Sequence, residues 1–200
     1  MKRAFDVVFS ILVILILFPL FVLIGLLIWL DSGSGIVYKS KRVGYNKKKF
    51  NLYKFRTMFP DSDYLTITQG NSDPRITPIG YYLRKYKLDE LPQLFNVLRG
   101  DMSFVGPRPD VPYYSEYYVR HMPEYFSIKP GITSYASLYF SNESELYRDM
   151  KDPVNEYINN TIPKKVQLDK KYYENQNLPT DLGIILMTLK KVLTGLFKNK

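Results

Sequence analysis

Residues 7–30 read VVFSILVILILFPLFVLIGLLIWL, a stretch without a charged side chain. A serine, a proline and a glycine alone interrupt its apolar character, and Asp6 and Asp31 bound it. As a helix it would be about 36 Å long, and the hydrocarbon core of a bilayer is about 30 Å thick. The stretch therefore predicts a membrane-embedded helix.

Three arrangements of this helix are compatible with its composition. A cleaved signal peptide is disfavoured, because the apolar stretch is much longer than the roughly 7–15 residues of a signal core. A simple spanning helix fits the length. The third arrangement is a re-entrant helix that breaks at Phe18 and Pro19 and returns to the same face, since a proline inside a helix removes a backbone donor and bends it.

The flanking charges bear on this choice. Lys2 and Arg3 precede the stretch. The cations that follow it are Lys39, Lys41, Arg42, Lys47, Lys48, Lys49, Lys54 and Arg56. Basic flanks favour the cytoplasmic side, so two basic flanks favour re-entry. Proline is nevertheless tolerated in spanning helices, and a short N-terminus with two charges can lie on the far side. Charge and proline alone leave both topologies open.

The composition excludes several kinds of site. The chain has 200 residues, with 28 Lys and Arg against 19 Asp and Glu, and a formal net charge of +9. Such a surplus is typical of proteins that meet phosphate-bearing partners or anionic membranes. Cysteine is absent, which excludes disulfides, thiolate metal sites and cysteine nucleophiles. The single histidine, His121, is expected to be structural or exposed. No Walker-type phosphate loop occurs.

The rest of the chain predicts a small, mostly helical cytoplasmic domain in an α+β fold. Residues 36–38 and 50–55 read as two strands of a hairpin, and residues 60–78 form a polar loop. Helices are predicted over residues 79–87, from Asp89 to Gly100, and around residues 143–150 and 166–173. We divide the chain into a membrane-embedded part, residues 1–31, and a domain at the membrane interface, residues 32–200.

The last twenty residues predict an amphipathic helix. Residues 181–200 place leucine, isoleucine, valine and phenylalanine at helical spacing, and lysines, among them Lys198 and Lys200, on the other side. A basic amphipathic helix can lie in the lipid headgroup region. An ordinary helix that packs on a core shows the same pattern, and both interpretations remain.

Asp89 and Glu90 are the candidate reactive acids. Acids at a helix start are also favoured by the helix dipole, which is the structural explanation for them. Many cations surround this pair in the sequence, so we expect the carboxylates to stay ionised. An ionised aspartate can be a nucleophile or a metal ligand, and Mg²⁺ commonly uses one or two carboxylates together with substrate phosphate oxygens.

Four cations are candidates for binding phosphate. Arg108 lies between two prolines, and its planar guanidinium suits a bidentate grip on phosphate. Lys54 and Arg56 alternate on a predicted strand and therefore share a face. Arg84 precedes the acidic pair. Each of these residues also has an ordinary structural role as an exposed or turn cation.

Three motifs carry a resemblance to a known family. They are LDELPQLFNVLRGDMSFVGPRP at residues 88–109, YKFRTM at residues 53–58 and KPGIT at residues 129–133. Together they closely resemble the small, minimal-core bacterial sugar transferases of the polyprenyl-phosphate phosphoglycosyl transferase superfamily. The resemblance extends from the N-terminal apolar helix to about Thr133 and resumes near the C-terminus.

The resemblance implies a monotopic enzyme on the cytoplasmic face of the bacterial inner membrane, with a re-entrant helix and with residues 32–200 as its catalytic domain. Such enzymes use Mg²⁺ and move a sugar 1-phosphate from a UDP-sugar to undecaprenyl phosphate, releasing UMP. By this resemblance Asp89 is the nucleophile that forms a covalent intermediate, Glu90 binds metal or handles protons, and Lys54, Arg84 and Arg108 bind phosphate. Membrane lipids are further partners, and no nucleic acid is expected.

The sequence departs from the family at three places. Phe18 stands where the family often has serine before the proline, residues 134–138 replace a common Gly-Trp-Ala-Gln-Val, and residues 141–165 are longer and more polar than in compact relatives.

A different class of function also fits the charge, namely a non-catalytic membrane-anchored protein whose basic surface binds anionic lipid or nucleic acid. The dense block of acids, arginines and prolines favours the enzyme.

Overall fold

The computed structural model describes residues 2–33, 35–60, 62, 70, 73–148 and 150–197. The helices are α1 Lys2–Ser32, α2 Pro78–Lys85, α3 Gln93–Arg99, α4 Ser115–His121, α5 Tyr135–Tyr139, α6 Glu143–Leu146, α7 Pro153–Glu156, α8 Ile162–Glu174 and α9 Leu178–Phe197. The strands are β1 Val37–Val43, β2 Lys49–Phe55, β3 Ser103–Val105 and β4 Gly131–Thr133. This mixture confirms the predicted α+β class. Lys198, Lys200 and most of the predicted 60–78 loop lie outside the described residues.

Strands β1 and β2 form the predicted hairpin. They pair antiparallel with Val37 opposite Phe55 and Val43 opposite Lys49. Asn46 and Lys47 turn the chain with φ of 51° and 60°, a conformation that asparagine tolerates better than most residues. The register places Lys54 one residue before Phe55, which is buried beneath α1.

Helix α3 begins later than predicted. Leu88–Glu90 forms a 3₁₀ turn, and the α-helix starts only at Gln93, after Pro92. The helix ends at Gly100, whose φ of 88° provides the left-handed cap expected from glycine. Asp89 and Glu90 therefore lie on a tight turn that precedes the helix.

Helix α1 packs on the domain at both of its ends. Near its start, Lys2 Nζ lies 2.5 Å from Asp181 Oδ2, and Arg3 donates to the carbonyl oxygens of Val97 and Leu98. Near its end, the Asp31 carboxylate accepts from the backbone N–H of Ile79 at 3.2 Å. The two acids that bound the apolar stretch face the protein. Asp6 is 2% exposed and accepts from Ser103 and from the backbone of Phe104.

The middle of α1 contributes an apolar stripe to the core and leaves another uncovered. Ile24 and Ile28 are buried against Phe55 and Leu83. The exposed stripe consists of Val8, Ile11, Leu12, Leu15, Ile16, Phe18, Val22, Leu23, Leu26, Trp29 and Leu30. Apolar residues at this spacing on one helix face suit contact with lipid. The helix continues through Phe18 and Pro19, and the predicted bend and return to one face stay a prediction.

Strands β3 and β4 form a short parallel pair that the sequence analysis did not anticipate. Ser103 pairs with Gly131 and Val105 with Thr133. The backbones approach so closely at the end of this pair that a Cβ on Gly106 would lie 2.2 Å from the Lys129 carbonyl oxygen. Glycine is required there because no other residue fits. The pair fixes the start of the Pro107–Arg108–Pro109 segment.

Five tyrosines build much of a second core. Tyr114, Tyr118, Tyr125, Tyr147 and Tyr157 are each at most 7% exposed and pack together with α4 and α8. Tyrosines at these positions are therefore structural, and their hydroxyl groups form a buried polar network described below.

Helix α9 combines the two roles that its sequence left open. Ile184 and Ile185 are buried in the same cluster as Leu94 and Val97 of α3. Among the side chains that the structure describes, the exposed large apolar residues of α9 are Leu178, Leu182, Leu186, Met187, Leu189 and Leu193. One face packs on the core, and the other has the composition of an interfacial helix.

Candidate active site

The turn Leu88–Glu90 holds the two candidate acids beside the apolar cluster that α1 forms with α2 and Phe55. Lys87 introduces the turn with φ of 57°, a left-handed conformation that a residue with a Cβ rarely adopts. Leu88 and Leu91, on either side of the acids, pack against the cluster formed by α1, α2 and Phe55. Apolar contacts on both sides therefore fix the backbone that carries Asp89 and Glu90.

Glu90 is the more heavily paired acid. Its carboxylate accepts from Lys54 Nζ at 2.8 Å and from both terminal nitrogens of Arg108, with Nη1 at 3.1 Å. Burial disfavours the charged form, but the charges and hydrogen bonds of Arg108 and Lys54 outweigh it and hold the pKa of Glu90 well below its usual range. Glu90 is therefore a fixed anion.

Asp89 has a different environment although it is the adjacent residue. It is 8% exposed, and its nearest cation is Lys54, whose Nζ lies 4.0 Å from Oδ2. Burial raises the pKa of Asp89; Lys54 opposes this effect, and the negative charge of Glu90 adds to it. The sequence predicted ionised carboxylates at both positions. In the structure the pKa values of the two carboxyl groups shift in opposite directions, because Lys54 and Arg108 donate their hydrogen bonds to Glu90 and not to Asp89.

Arg108 is held from two directions. The prolines on both sides restrict its backbone, and the charge of Glu90 raises the pKa of its guanidinium in spite of burial. The Glu143 carboxylate adds a smaller effect of the same sign. The fork of donors expected from the sequence is thus preformed and points at Glu90.

The remaining predicted cations divide into two groups. Arg84, on α2, is half-buried and lies in the field of Asp89, but among the described residues it makes no ion pair with either acid. Arg56 follows β2, where its backbone N–H donates to Ile36 at 2.9 Å and its guanidinium lies beside Gly35. The structure therefore brings together Lys54, Asp89, Glu90 and Arg108 and places Arg84 next to them. Arg56 lies just after β2, at the open end of the hairpin opposite Ile36.

The other predicted positions lie away from this cluster. His121 is exposed at the end of α4, as expected of a residue without a role in the site. Phe18 and Pro19 lie on the exposed face of α1.

A buried network behind Arg108 was missed by the sequence analysis. Asp110 accepts hydrogen bonds from Tyr118 and Tyr157. Lys165, only 5% exposed, donates to Tyr157 at 3.1 Å and lies 2.6 Å from a carboxylate oxygen of Glu143. The network ties the polar segment 141–165 to the loop that carries Arg108. Its one signal in the sequence was an acid directly after the Pro-Arg-Pro motif.

The donor set is compatible with Mg²⁺. Among the described residues no group of three or more potential protein ligands occurs. Mg²⁺ usually takes one or two carboxylates and completes its coordination with substrate phosphates and water. Asp89 and Glu90 satisfy that requirement, and Asp89 accepts no hydrogen bond among the described contacts.

Comparison with known proteins gives the family. The model of the bacterial sugar transferase family matches residues 1–195. The chain is 38% identical to an undecaprenyl-phosphate glucose phosphotransferase of Komagataeibacter xylinus, over 95% of this chain and 35% of that protein. It is 34% identical to the exopolysaccharide production protein ExoY of Sinorhizobium fredii, over 96% of this chain and 84% of that protein.

A third relative has the most explicit name. This chain is 33% identical to a UDP-glucose:undecaprenyl-phosphate glucose-1-phosphate transferase of Escherichia coli, over 96% of this chain and 40% of that protein. The chain thus spans well under half of the Komagataeibacter and Escherichia proteins and most of ExoY. With the family model matching nearly its whole length, this chain belongs to the bacterial sugar transferase family.

Proposed function

We propose that this protein transfers a sugar 1-phosphate from a UDP-sugar to undecaprenyl phosphate and releases UMP, as the first membrane step in the assembly of a surface glycan. The proposal is supported by family membership and by relatives whose names include undecaprenyl phosphate and, in one case, UDP-glucose. The observation that carries it is the contrast between two adjacent acids. Glu90 is paired with Lys54 and Arg108, whereas Asp89 is buried with one cation at 4.0 Å.

This contrast suits Asp89 as the nucleophile. A carboxylate that accepts few hydrogen bonds loses few stabilising contacts when it attacks phosphorus. Glu90 would first have to break its hydrogen bonds with Lys54 and Arg108. In the proposed step an Asp89 oxygen bonds to the β-phosphorus of the UDP-sugar. The bond from that phosphorus to the bridging oxygen breaks, and UMP leaves with the electron pair.

A second displacement completes the reaction. A phosphate oxygen of undecaprenyl phosphate attacks the aspartyl-linked phosphorus, and Asp89 leaves as a free carboxylate. Lys54 and Arg108 would donate to the phosphate oxygens on which charge gathers, because phosphoryl transfer depends mainly on positioning and charge neutralisation. Glu90 keeps both cations in place between the two steps.

Mg²⁺ is part of the proposal. Asp89 and Glu90 would hold the ion, and when bound it would neutralise charge on the diphosphate.

The location at the cytoplasmic face of the inner membrane is supported by how α1 packs. Lys2 and Asp31, at opposite ends of the helix, both contact the same folded domain. A helix that crossed the bilayer would place one of these ends on the other side. Re-entry satisfies both contacts, and the basic residues after α1 favour the cytoplasmic side.

The test of this proposal is a burst of UMP without acceptor lipid. A panel of UDP-sugars with Mg²⁺ should include one that releases about one UMP per enzyme molecule, together with a sugar phosphate adduct in the intact mass. Asp89→Asn should reduce both to background, whereas Glu116→Gln, which removes an exposed acid from α4, should leave them unchanged. A full burst from Asp89→Asn would overturn the covalent mechanism.

A further inference from the structure

Hydrogen bonds fix the backbone on both sides of Arg108. Before it, the backbone N–H of Gly131 donates to the Pro107 carbonyl oxygen at 2.9 Å, at the end of the β3–β4 pair. After it, the backbone oxygen of Asp110 accepts from the N–H of Val43 at 3.1 Å. The two prolines that flank Arg108 restrict rotation within this short segment. A displacement of Asp110 is therefore passed on to Arg108.

The Asp110 carboxylate is held by side chains from three elements. Its Oδ2 atom accepts from Tyr118 on α4 at 3.0 Å and from Tyr157, in the helical turn that precedes α8. On β1, Arg42 Nη1 lies 3.7 Å from Oδ1. Burial and the charge of Asp110 raise the pKa of Tyr157 well above its usual range, so the hydroxyl keeps its proton and stays a donor.

Lys165 fixes the position of the Tyr157 hydroxyl. The Lys165 ammonium donates to the Tyr157 oxygen at 3.1 Å and lies 4.6 Å from the centroid of the same ring. Its counter-ion is Glu143, at 2.6 Å. Lys165 is 5% exposed, and a buried ammonium is stable only while its partners stay in place. The ion pair and the hydrogen bond therefore leave Tyr157 little freedom to move.

These contacts form a continuous path from the polar segment 141–165 to the loop that carries Arg108. The charged groups along the path alternate in sign; in order they are Glu143, Lys165, Asp110 and Arg42. In a buried environment, hydrogen-bonded groups of this kind strengthen one another. The path therefore behaves as a rigid support for the loop, and the polar segment supplies one end of it.

We propose that Lys165 and Tyr157 are positioning residues for Arg108. They hold Asp110, and through it the guanidinium that donates to phosphate oxygens in the reaction. The inference rests on the function proposed above and gives the polar segment 141–165 a role in it. Neither residue touches the substrate, so each acts on the rate only through Arg108.

Two variants interrupt the path at different points. Tyr157→Phe removes one hydroxyl and keeps the ring in the core, and Lys165→Met removes the ammonium and keeps most of the stem. Each should lower the burst rate of UMP at saturating UDP-sugar about tenfold and change the KM for UDP-sugar by less than about twofold, because the affected donor acts in the transition state.

The controls keep the charge or change a neighbouring lysine. Lys165→Arg retains a cation beside Glu143 and should restore most of the rate. Lys164→Met is the matched substitution at the adjacent position, where the exposed lysine donates to Gln167, and it should leave the rate unchanged. An undiminished burst rate in Tyr157→Phe, the milder of the two variants, would overturn the inference.

A double-mutant cycle separates positioning from a merely structural role. If Tyr157 acts through Arg108, then Tyr157→Phe should slow the Arg108→Lys variant little further. The urea midpoint should fall by the same amount in both backgrounds, since the packing of Tyr157 does not depend on the guanidinium. A further tenfold loss of rate in the Arg108→Lys background would contradict the inference.

NMR of the full chain with isotope-labelled arginine, in lipid nanodiscs, gives a readout without turnover. The guanidinium resonances that are lost in Arg108→Lys belong to Arg108. They should shift and exchange faster with water in Tyr157→Phe, and they should stay in place in Lys164→Met.

This readout distinguishes the two proposals. Unchanged Arg108 resonances in Tyr157→Phe would overturn the positioning role, whether or not any UDP-sugar releases UMP. Shifted resonances in a chain that releases no UMP from any UDP-sugar would support the positioning of Arg108 and contradict the enzymatic proposal alone.

Discussion

At Arg108, geometry matters as much as charge. The guanidinium binds both oxygens of Glu90, a bidentate arrangement that an ammonium group cannot reproduce. Arg108→Lys should therefore lower the burst rate of UMP about a hundredfold, the scale expected for one lost donor at a developing oxyanion. Stopped-flow measurement of UMP release checks this. Arg120→Lys, an exposed position on α4, is the control; equal rates for both variants would contradict the role of Arg108.

Asp169 makes stability depend on pH. Burial raises the pKa of this acid from 3.8 to about 6, although Tyr125 donates a hydrogen bond to it. The folded state therefore holds the proton more tightly than the unfolded state, and the resulting stabilisation is complete below about pH 4 and lost as the pH rises through 6. The difference corresponds to about 3 kcal/mol in the free energy of unfolding.

Asp169→Asn removes this dependence while keeping an acceptor for Tyr125. Urea unfolding in detergent, repeated from about pH 4 to about pH 7, should show the free energy of unfolding of the unchanged protein falling relative to that of the variant. A constant difference across this range would show that Asp169 does not titrate in this window.

At the scale of elements, the β3–β4 pair is the most sensitive part of the site. Its backbones approach at Gly106, where a Cβ would lie 2.2 Å from the Lys129 carbonyl oxygen. Gly106→Ala must separate the strands, at a cost of about 1–3 kcal/mol in the free energy of unfolding, and should displace Arg108 two residues later. Thermal unfolding and UMP release measure the two effects.

Gly183→Ala is the matched control. Among the described residues, no atom outside the neighbouring residues and backbone of α9 lies within 4 Å of a Cβ placed on Gly183, and alanine is favoured over glycine inside a helix by about 1 kcal/mol. The melting temperature should therefore rise slightly and the UMP burst should stay unchanged. If both alanine variants were equally stable, the close approach at Gly106 would not matter energetically.

The elements that the sequence predicted well are those set by local patterns. Alternation and turn residues gave the β1–β2 hairpin, and Gly100 gave the end of α3. The start of α3 was wrong because Pro92 lets the chain form a 3₁₀ turn before the helix begins. The parallel β3–β4 pair was missed because strands of three residues leave almost no periodicity to detect.

The candidate site divides in the same way. Asp89, Glu90 and the cations were singled out by their sequence neighbourhood, and Lys54 lies on the predicted strand. The roles of these residues stay predictions. The different environments of the two acids depend on which one Lys54 and Arg108 reach, which is a tertiary property. The network of Asp110, Tyr157 and Lys165 could not be predicted from local patterns, because its members are distant in the sequence. Asp110 is 47 residues and Lys165 is 8 residues from Tyr157.

At the scale of the whole molecule, the proposed topology makes a direct prediction. The chain has no cysteine, so single-cysteine variants report one position each. Ala4→Cys, exposed near the start of α1, and Asn46→Cys, exposed at the hairpin turn, should both resist a membrane-impermeant maleimide added from the periplasm and react once the cytoplasmic side is opened.

Labelling of Ala4→Cys from the periplasm, with Asn46→Cys still protected, would identify a spanning helix. It would also mean that the contacts of Lys2 and Arg3 with the domain do not form in the membrane. Equal protection of both positions would support re-entry.

The contacts that hold α1 against the domain have a consequence for how the proposed substrates, a water-soluble UDP-sugar and a membrane lipid, reach the site. Contacts at both ends, from Lys2 and from Asp31, leave the helix no freedom to act as a hinged tether. In the proposed topology the height of Asp89 above the bilayer is then constant. A water-soluble donor would descend to that level by diffusion in three dimensions, and a lipid acceptor would reach it by a lateral search in two. Supply of the acceptor would thus depend on membrane fluidity and composition rather than on any reach of the protein.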